Sequence, residues 1–244
     1  MLAFPEMLKN LTPVRRLFSK ESSFRKHFLE KLADLLAIVV SIYLALSIEG
    51  WAEKRIEHKK LLHYYHNLID EIAKDTVSLH DALADAEKHL SSTESHIRLL
   101  RRYNPSKLDS VTGLFQGMLN SELFYESEMI SYQAMILSGD IRLIENLRVK
   151  EQLIGLEGVY KSVKLYEDLY LDFITKDLTQ AFSGNFDLIE MRLTNKKKYT
   201  TTEYRNLVVE FYSLNASRVG QYQEAIKKAR ETLETIKNEL GINE

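Results

Sequence analysis

The sequence predicts an all-α protein, an N-terminal transmembrane helix continuing into an extramembrane bundle of long antiparallel amphipathic helices. Three observations carry this. Leu35 to Ile48 reads LLAIVVSIYLALSI, fourteen residues without a charge. Nine glycines and three prolines (Pro5, Pro13 and Pro105) are few for 244 residues, so helices run long before anything interrupts them. Beyond the apolar run, hydrophobic side chains return at steps of three and four, the period of one helix face.

The chain divides accordingly into a basic N-terminal segment (1–31), a transmembrane helix (32–51) and a helical extramembrane domain (52–244). Residues 2–19 mix Leu2, Phe4, Met7 and Leu8 with Lys9, Arg15 and Arg16. Such a segment either lies among lipid headgroups, its cations near anionic lipid, or forms a loose basic tail. Ser22 or Ser23 suits the N-cap of the helix that follows.

Counted from Leu32, the apolar run reaches seventeen residues, the short end of the roughly 17–25 that cross a bilayer. Two competitors share this signature. A secretory signal peptide would use Ala45-Leu46-Ser47 as a small-x-small cleavage site, and a soluble protein would bury the run in its core. The more than thirty residues ahead of the run, and Asp34 at its start, favour an uncleaved anchor. Residues 1–31 carry seven Lys and Arg, against four just beyond the span (Lys54, Arg55, Lys59 and Lys60). That bias expects the N-terminus in the cytoplasm and the C-terminal domain outside it. Trp51 suits an interfacial aromatic anchor.

Within the span, Ala33, Ala37, Ser41 and Ala45 recur every fourth residue as a stripe of small side chains. Such stripes let helix backbones approach closely in lipid, which expects a homo-oligomer. Asp34 is the one acid near the membrane. An ionisable group there is a functional candidate unless it reaches headgroup water or pairs with Lys31.

The outer helices follow in order. From Leu61 the apolar face runs through Tyr64, Leu68, Ile72, Leu79, Leu83, Ala86, Leu90, Ile97 and Leu100, with Lys, Glu, Asp and His assigned to the other face. Asn104-Pro105-Ser106 breaks it, because the residue before proline is pushed out of helical geometry. A shorter pair is expected near 108–119 and 122–138, the second stopped by Gly139. Leu147 to Ala181 is the next long helix, its inner face reading Ile154, Tyr160, Val163, Tyr166, Tyr170, Ile174 and Leu178, closing at Gly184. Residues 185–201 lack a helical period and read as a loop, with Lys196-Lys197-Lys198 a solvated turn. Thr201 or Thr202 caps a last helix to Leu240, through Leu207, Phe211, Leu214, Tyr222, Ile226, Ala229, Leu233 and Ile236. Gly241 followed by Ile242 reads as a left-handed stop.

With these segments placed, the chain resembles an uncharacterised bacterial family of membrane-anchored helical proteins, a domain of unknown function. One likeness is DLLAIVVSIYLALSIEGWAEKR (34–55), matched at Asp34, Ala45, Leu46, Ile48, Trp51 and Glu53. The other is SYQAMILSGDIRLIENLRVKEQLIGLEGVY (131–160), matched at Ser138, Gly139, Ile141, Ile144 and Asn146. Asp34 stands where glutamate is expected, and Glu49-Gly50 where polar amides are usual. The resemblance implies an uncleaved anchor and a bacterial inner-membrane location, and brings no activity with it.

Chemistry-bearing patterns are sparse. His63 and His66 lie three apart with Asp70 one turn on, a spacing that suits a metal only if further ligands come from another helix. Tyr160, Tyr166, Tyr170, Tyr204, Tyr212 and Tyr222 either line a ligand pocket or pack with their hydroxyls reaching water. The chain has no cysteine and no phosphate-cradling glycine loop or nucleophile elbow, and its net charge of −2 gives no footprint for nucleic acid. The expectation is a non-enzymatic, cofactor-free, single-pass membrane protein, self-associating as a scaffold or accessory subunit. Its partners would be lipid, further copies of itself and possible membrane proteins. A membrane-anchored ligand sensor and a small channel or transporter subunit are the alternatives.

Overall fold

The computed structural model describes residues 12–102, 124–127, 129–183, 185–187, 189–190, 192–195 and 197–242. The expectations for residues 2–11, for a helix near 108–119, for the break at Asn104-Pro105-Ser106 and for a stop at Gly184 lie outside these residues. The fold is all-α, and the chain forms two compact units, Met1–Lys59 and Lys60–Glu244.

Helix α1 (Thr12–Arg101) contributes to both units, so Gly50 does not interrupt it. In the first unit every side chain from residue 31 to residue 49 is exposed. Ten large apolar side chains between Leu35 and Ile48 are thereby exposed within this unit, among the described residues. The Ser41 and Ser47 hydroxyls donate to the carbonyls of Ala37 and Tyr43, at 2.7 and 2.8 Å. Their polarity is thus absorbed by the helix itself. Among the described residues one helix is long and apolar enough to cross a membrane, and none of its apolar window is buried. That exposure runs against the core-helix reading of this run.

The second unit is a bundle of α1, α3 (Leu147–Asp172) and α5 (Thr202–Glu239). Each buries a seam that steps alternately by three and four. On α1 it is Tyr65, Leu68, Ile72, Asp75, Leu79, Ala82, Ala86, His89, Thr93 and His96. On α3 it is Val149, Leu153, Leu156, Tyr160, Val163, Glu167 and Tyr170. On α5 it runs from Tyr204, Val208, Phe211, Asn215, Arg218 and Tyr222 through Ala225, Ala229 and Thr232 to Ile236. This is the seven-residue repeat of coiled coils, in which a narrow stripe of each helix faces its partners.

Contacts fix the directions. Tyr204 of α5 meets His96 of α1, whereas Tyr65, near the other end of the α1 seam, feels the charge of Glu239. Asn146, at the start of α3, also bonds Glu239 at 2.6 Å, and Arg218 meets Glu167 toward the far end of α3. Helix α5 therefore runs antiparallel to both α1 and α3.

Four sequence expectations need correction here. Helix α1 begins at Thr12, so Ser22 and Ser23 lie inside it and neither is its N-cap. Asp75, His89 and His96 belong to the buried face of α1, because a seven-residue period assigns them there whatever their polarity. Ile154 is 58% exposed, and the inner positions are Leu153 and Leu156. The helix expected from residue 122 begins only at Ile130, as α2 (Ile130–Ser138). Before it, the Tyr125 N–H is taken by Glu167 and the Met129 N–H by the Ser127 hydroxyl, so these amides are drawn away from helical pairing. Glu71 of α1 then accepts from both the N–H and the hydroxyl of Ser131, placing a carboxylate at the N-terminus of α2.

The stop at Gly139 is as expected, with φ of 76° and its N–H on the Ile136 carbonyl. The corner around it uses each residue of the second resemblance motif. The Ser138 hydroxyl donates to Asp140, Ile144 is fully buried, Ile141 packs on the core, and Asn146 caps α3 through the Arg148 N–H at 2.9 Å. Asp140 also takes Lys60 at 2.6 Å and the Tyr64 hydroxyl at 2.9 Å, which fastens the corner to α1. These donors pull its carboxyl down to about 2.

Past α3 the chain forms a π-helical segment (Phe173–Leu178) and a short α4 (Thr179–Phe182). The π turn moves the buried position from Phe173 to Leu178, a step of five that the seven-residue rhythm does not contain. The loop read at 185–201 folds around a minimal antiparallel ribbon, β1 (Phe186–Asp187) with β2 (Arg192–Leu193). Asp187 closes it by accepting the N–H groups of Ile189 and Glu190, both at 3.0 Å. Thr201 caps α5 through the Tyr204 N–H, and Gly241 (φ 68°) ends it, with the Ile242 N–H returning to the Lys237 carbonyl.

The seam register makes a direct prediction. Leu153→Ala should lower unfolding free energy by about 2–5 kcal/mol, and Ile154→Ala by no more than about 0.5 kcal/mol. Chemical denaturation of the two variants in mild detergent decides between them, and the reverse order would refute the register.

Candidate functional site

The seam positions that are not apolar build the most chemically dense region of the bundle. Glu167, 3% exposed, and Arg218, 1% exposed, face each other between α3 and α5. The Arg218 Nε and Nη2 donate to Glu167 Oε2 at 3.2 and 3.1 Å. Nη1 reaches Asn215 Oδ1 at 3.3 Å, and Nη2 also donates to the Tyr222 hydroxyl at 3.0 Å. The Tyr222 hydroxyl in turn donates to Glu167 Oε1, which also receives the Tyr125 N–H at 3.4 Å. The guanidinium lies 4.0 Å from the centroid of the Tyr170 ring, a cation–π contact inside the core. Burial pushes the Glu167 carboxyl up, and Arg218 draws it back.

A second cluster lies beside it. Asp75, 1% exposed, accepts from the Ser127 hydroxyl at 3.4 Å. The Tyr125 and Tyr160 rings meet edge to face, 5.3 Å between centroids. Burial pushes both phenols up, and the Asp75 charge adds to it. The same two tyrosines line a cleft of about 420 Å³ with Met129, Ile130, Gln133 and Lys164. On the far side of Arg218, His89 and His96 are sealed against α5. Phe211 stands edge-on to His89 at 6.3 Å, and the Tyr204 hydroxyl lies 2.9 Å from His96 Nε2.

Every member of the charged layer is matched by a partner of opposite or complementary polarity. Such a layer sets the rotation and register of helices, because a shift of one residue would strand a buried charge. It divides the interior into two apolar clusters, one around Leu68, Leu156 and Ala229, the other around Tyr170, Phe211 and Tyr204.

The residues singled out from sequence fall elsewhere. Ala33, Ala37, Ser41 and Ala45 are exposed on the apolar run, as is Asp34, which forms no ion pair with Lys31. Trp51 is 64% exposed, with the Arg55 guanidinium 5.5 Å from its ring. His63, His66 and Asp70 are exposed; His66 Nδ1 lies 2.7 Å from the Leu62 carbonyl of its own helix. Among the described residues no three His, Asp or Glu side chains are grouped to hold a metal. Of the six tyrosines, Tyr160, Tyr170, Tyr204 and Tyr222 are buried, and Tyr166 and Tyr212 are half-buried. Asp75, His89, His96, Glu167, Asn215 and Arg218 escaped the sequence reading. Their shared seven-residue spacing was the signal that could have found them.

Comparison with protein-family models, with characterised proteins and with solved structures gives no match. The resemblance to the bacterial family therefore rests on the residues quoted for it.

The paired layer predicts strong coupling. Arg218→Met should cost about 3–5 kcal/mol by leaving Glu167 buried and unpaired. In a Glu167→Gln background the same change should cost at least ~2 kcal/mol less. Urea denaturation of the four proteins at neutral pH closes the cycle, and additive costs would show that the pair does not act as a unit.

Proposed function

We propose that this chain is a non-enzymatic, single-pass membrane protein whose helical domain serves as a self-associating scaffold or accessory subunit. One observation carries the reading: the exposed apolar run of α1, ten large side chains between Leu35 and Ile48 left uncovered among the described residues. Leaving them in water would forfeit on the order of 10–20 kcal/mol of burial. A helix that is apolar on all sides and satisfies its own serines suits lipid. The Lys and Arg bias supports a cytoplasmic N-terminus with the bundle outside, and the resemblance supports a bacterial inner membrane. The Ala33, Ala37, Ser41 and Ala45 stripe is the proposed helix–helix contact, and Trp51 the interfacial anchor. Asp34 sits at the edge of the span, where it reaches headgroup water. Glu167, Arg218, Asn215 and Tyr222 occupy seam positions and match one another, which supports a role in holding helices over one in turnover.

The cleft beside Tyr125 and Tyr160 favours a second reading, a ligand-binding module on the same anchor. Its apolar wall and its Lys164 and Gln133 rim fit a small amphiphile better than a strongly charged metabolite. Thermal-shift screening against small amphiphiles separates the two, since a scaffold gives no stabilised hit.

In native membranes, carbonate washing should leave the chain in the pellet, and amine crosslinking should give a ladder beyond monomer. Replacing both Ala37 and Ser41 by Leu should weaken the ladder several-fold without releasing the protein from the pellet. Recovery in the supernatant would overturn the anchor, and a monomer-only pattern would overturn self-association.

A further inference from the structure

Two histidines at the same seam of α1, one on each side of Thr93, are an unusual choice for a core. His96 is fully buried, its Nδ1 has no hydrogen-bond partner, and its Nε2 meets only the Tyr204 hydroxyl. His89 is 4% exposed. The groups that face it are Asp85 and Lys88 on its own helix and Arg218 from α5, whose partner Glu167 comes from α3. Behind Tyr204 stands Tyr199, 4.7 Å away ring to ring. Both imidazoles thus touch the aromatic cluster around Phe211 and Tyr204, which the charged layer separates from the other apolar cluster.

We propose that this end of the bundle is an acid-triggered latch: protonation of His89 and His96 opens α1 from α5 over 89–100 and 204–215 while the Lys60 end stays closed. A proton on His96 would have to sit among apolar rings with no acceptor for the new N–H; one on His89 would have Asp85 at 3.5 Å but would be buried facing the Arg218 guanidinium. Opening to water relieves both. At the other end the Asp140 corner and its Lys60, Tyr64 and Ser138 donors keep α1 fastened.

The sign follows from linkage. Burial lowers the His96 imidazole from 6.5 to about 4, and burial likewise lowers His89, with Asp85 opposing. Stability from a neutral buried histidine is present above pH 6.5 and drains as the pH falls toward 4. Glu167 acts in the opposite sense, because its raised carboxyl gains a proton more readily in the closed bundle than in the open one. The acid response of a variant lacking the histidines isolates its contribution.

Amide hydrogen exchange on the full chain in mild detergent, at pH 7 and pH 5 and corrected for intrinsic rates, tests the latch. Protection at 93–97 and 208–212 should fall about twentyfold through His96 alone, while 68–72 and 226–230 should change less than about threefold. His89→Gln with His96→Gln should abolish the difference. Equal loss at both ends, no loss at either, or an undiminished acid response in the double variant would overturn the proposal. Should the double variant fail to fold, the comparison of the two ends in the unaltered chain decides alone.

Discussion

Ten large aliphatic and aromatic side chains between Leu35 and Ile48 stand exposed along one helix, among the described residues, and their need for cover constrains the functional reading. A soluble domain tolerates scattered exposed hydrophobics but not a contiguous cylinder of them. The cylinder needs a non-aqueous surrounding, and its own serines are already satisfied by helix carbonyls. Lipid meets both conditions at once. A second copy alone would cover only one side.

The bundle solves a different problem. Three helices with seven-residue seams would pack equally well in several registers if every seam position were aliphatic. Polar seam positions remove that freedom. Glu167 and Arg218 find partners in one alignment, and small Ala82, Ala86, Ala225 and Ala229 share one buried cluster with large Tyr65, Tyr132, Tyr160 and Tyr222. Replacing a buried ion pair by packed hydrophobics is often neutral or stabilising elsewhere, so the layer is best understood as a device for uniqueness. The aromatic face of Tyr170 and the amide of Asn215 complete the solvation that Arg218 gave up on leaving water.

The sequence made the architecture legible because helical periodicity and a scarcity of breakers are local signals. The caps at Thr201, Gly139 and Gly241 were legible for the same reason. What was lost is instructive. The rule that charged residues face water misassigned Asp75, His89 and His96, whose burial depends on partners more than fifty residues away: Ser127, Arg218 and Tyr204. Ile154 was chosen over Leu153 and Leu156, although the seven-residue steps from Tyr160 and Val163 lead back to those two leucines. The late start of α2 was hidden because its competitor for backbone donors, Glu167, lies on another helix. The minimal ribbon at Phe186 and Leu193 carries too few residues to leave a period.

The claim on which the account turns is that residues 35–48 are surrounded by lipid. The chain has no cysteine, so single cysteines can be placed along α1 without background. Labelling of intact vesicles with a water-soluble maleimide, scanned from residue 28 to residue 60, measures it directly. The account predicts strong labelling at 54–60, from one side of the membrane only, and a silent stretch across 35–48. Ready labelling within that stretch would place it in water and contradict the assignment.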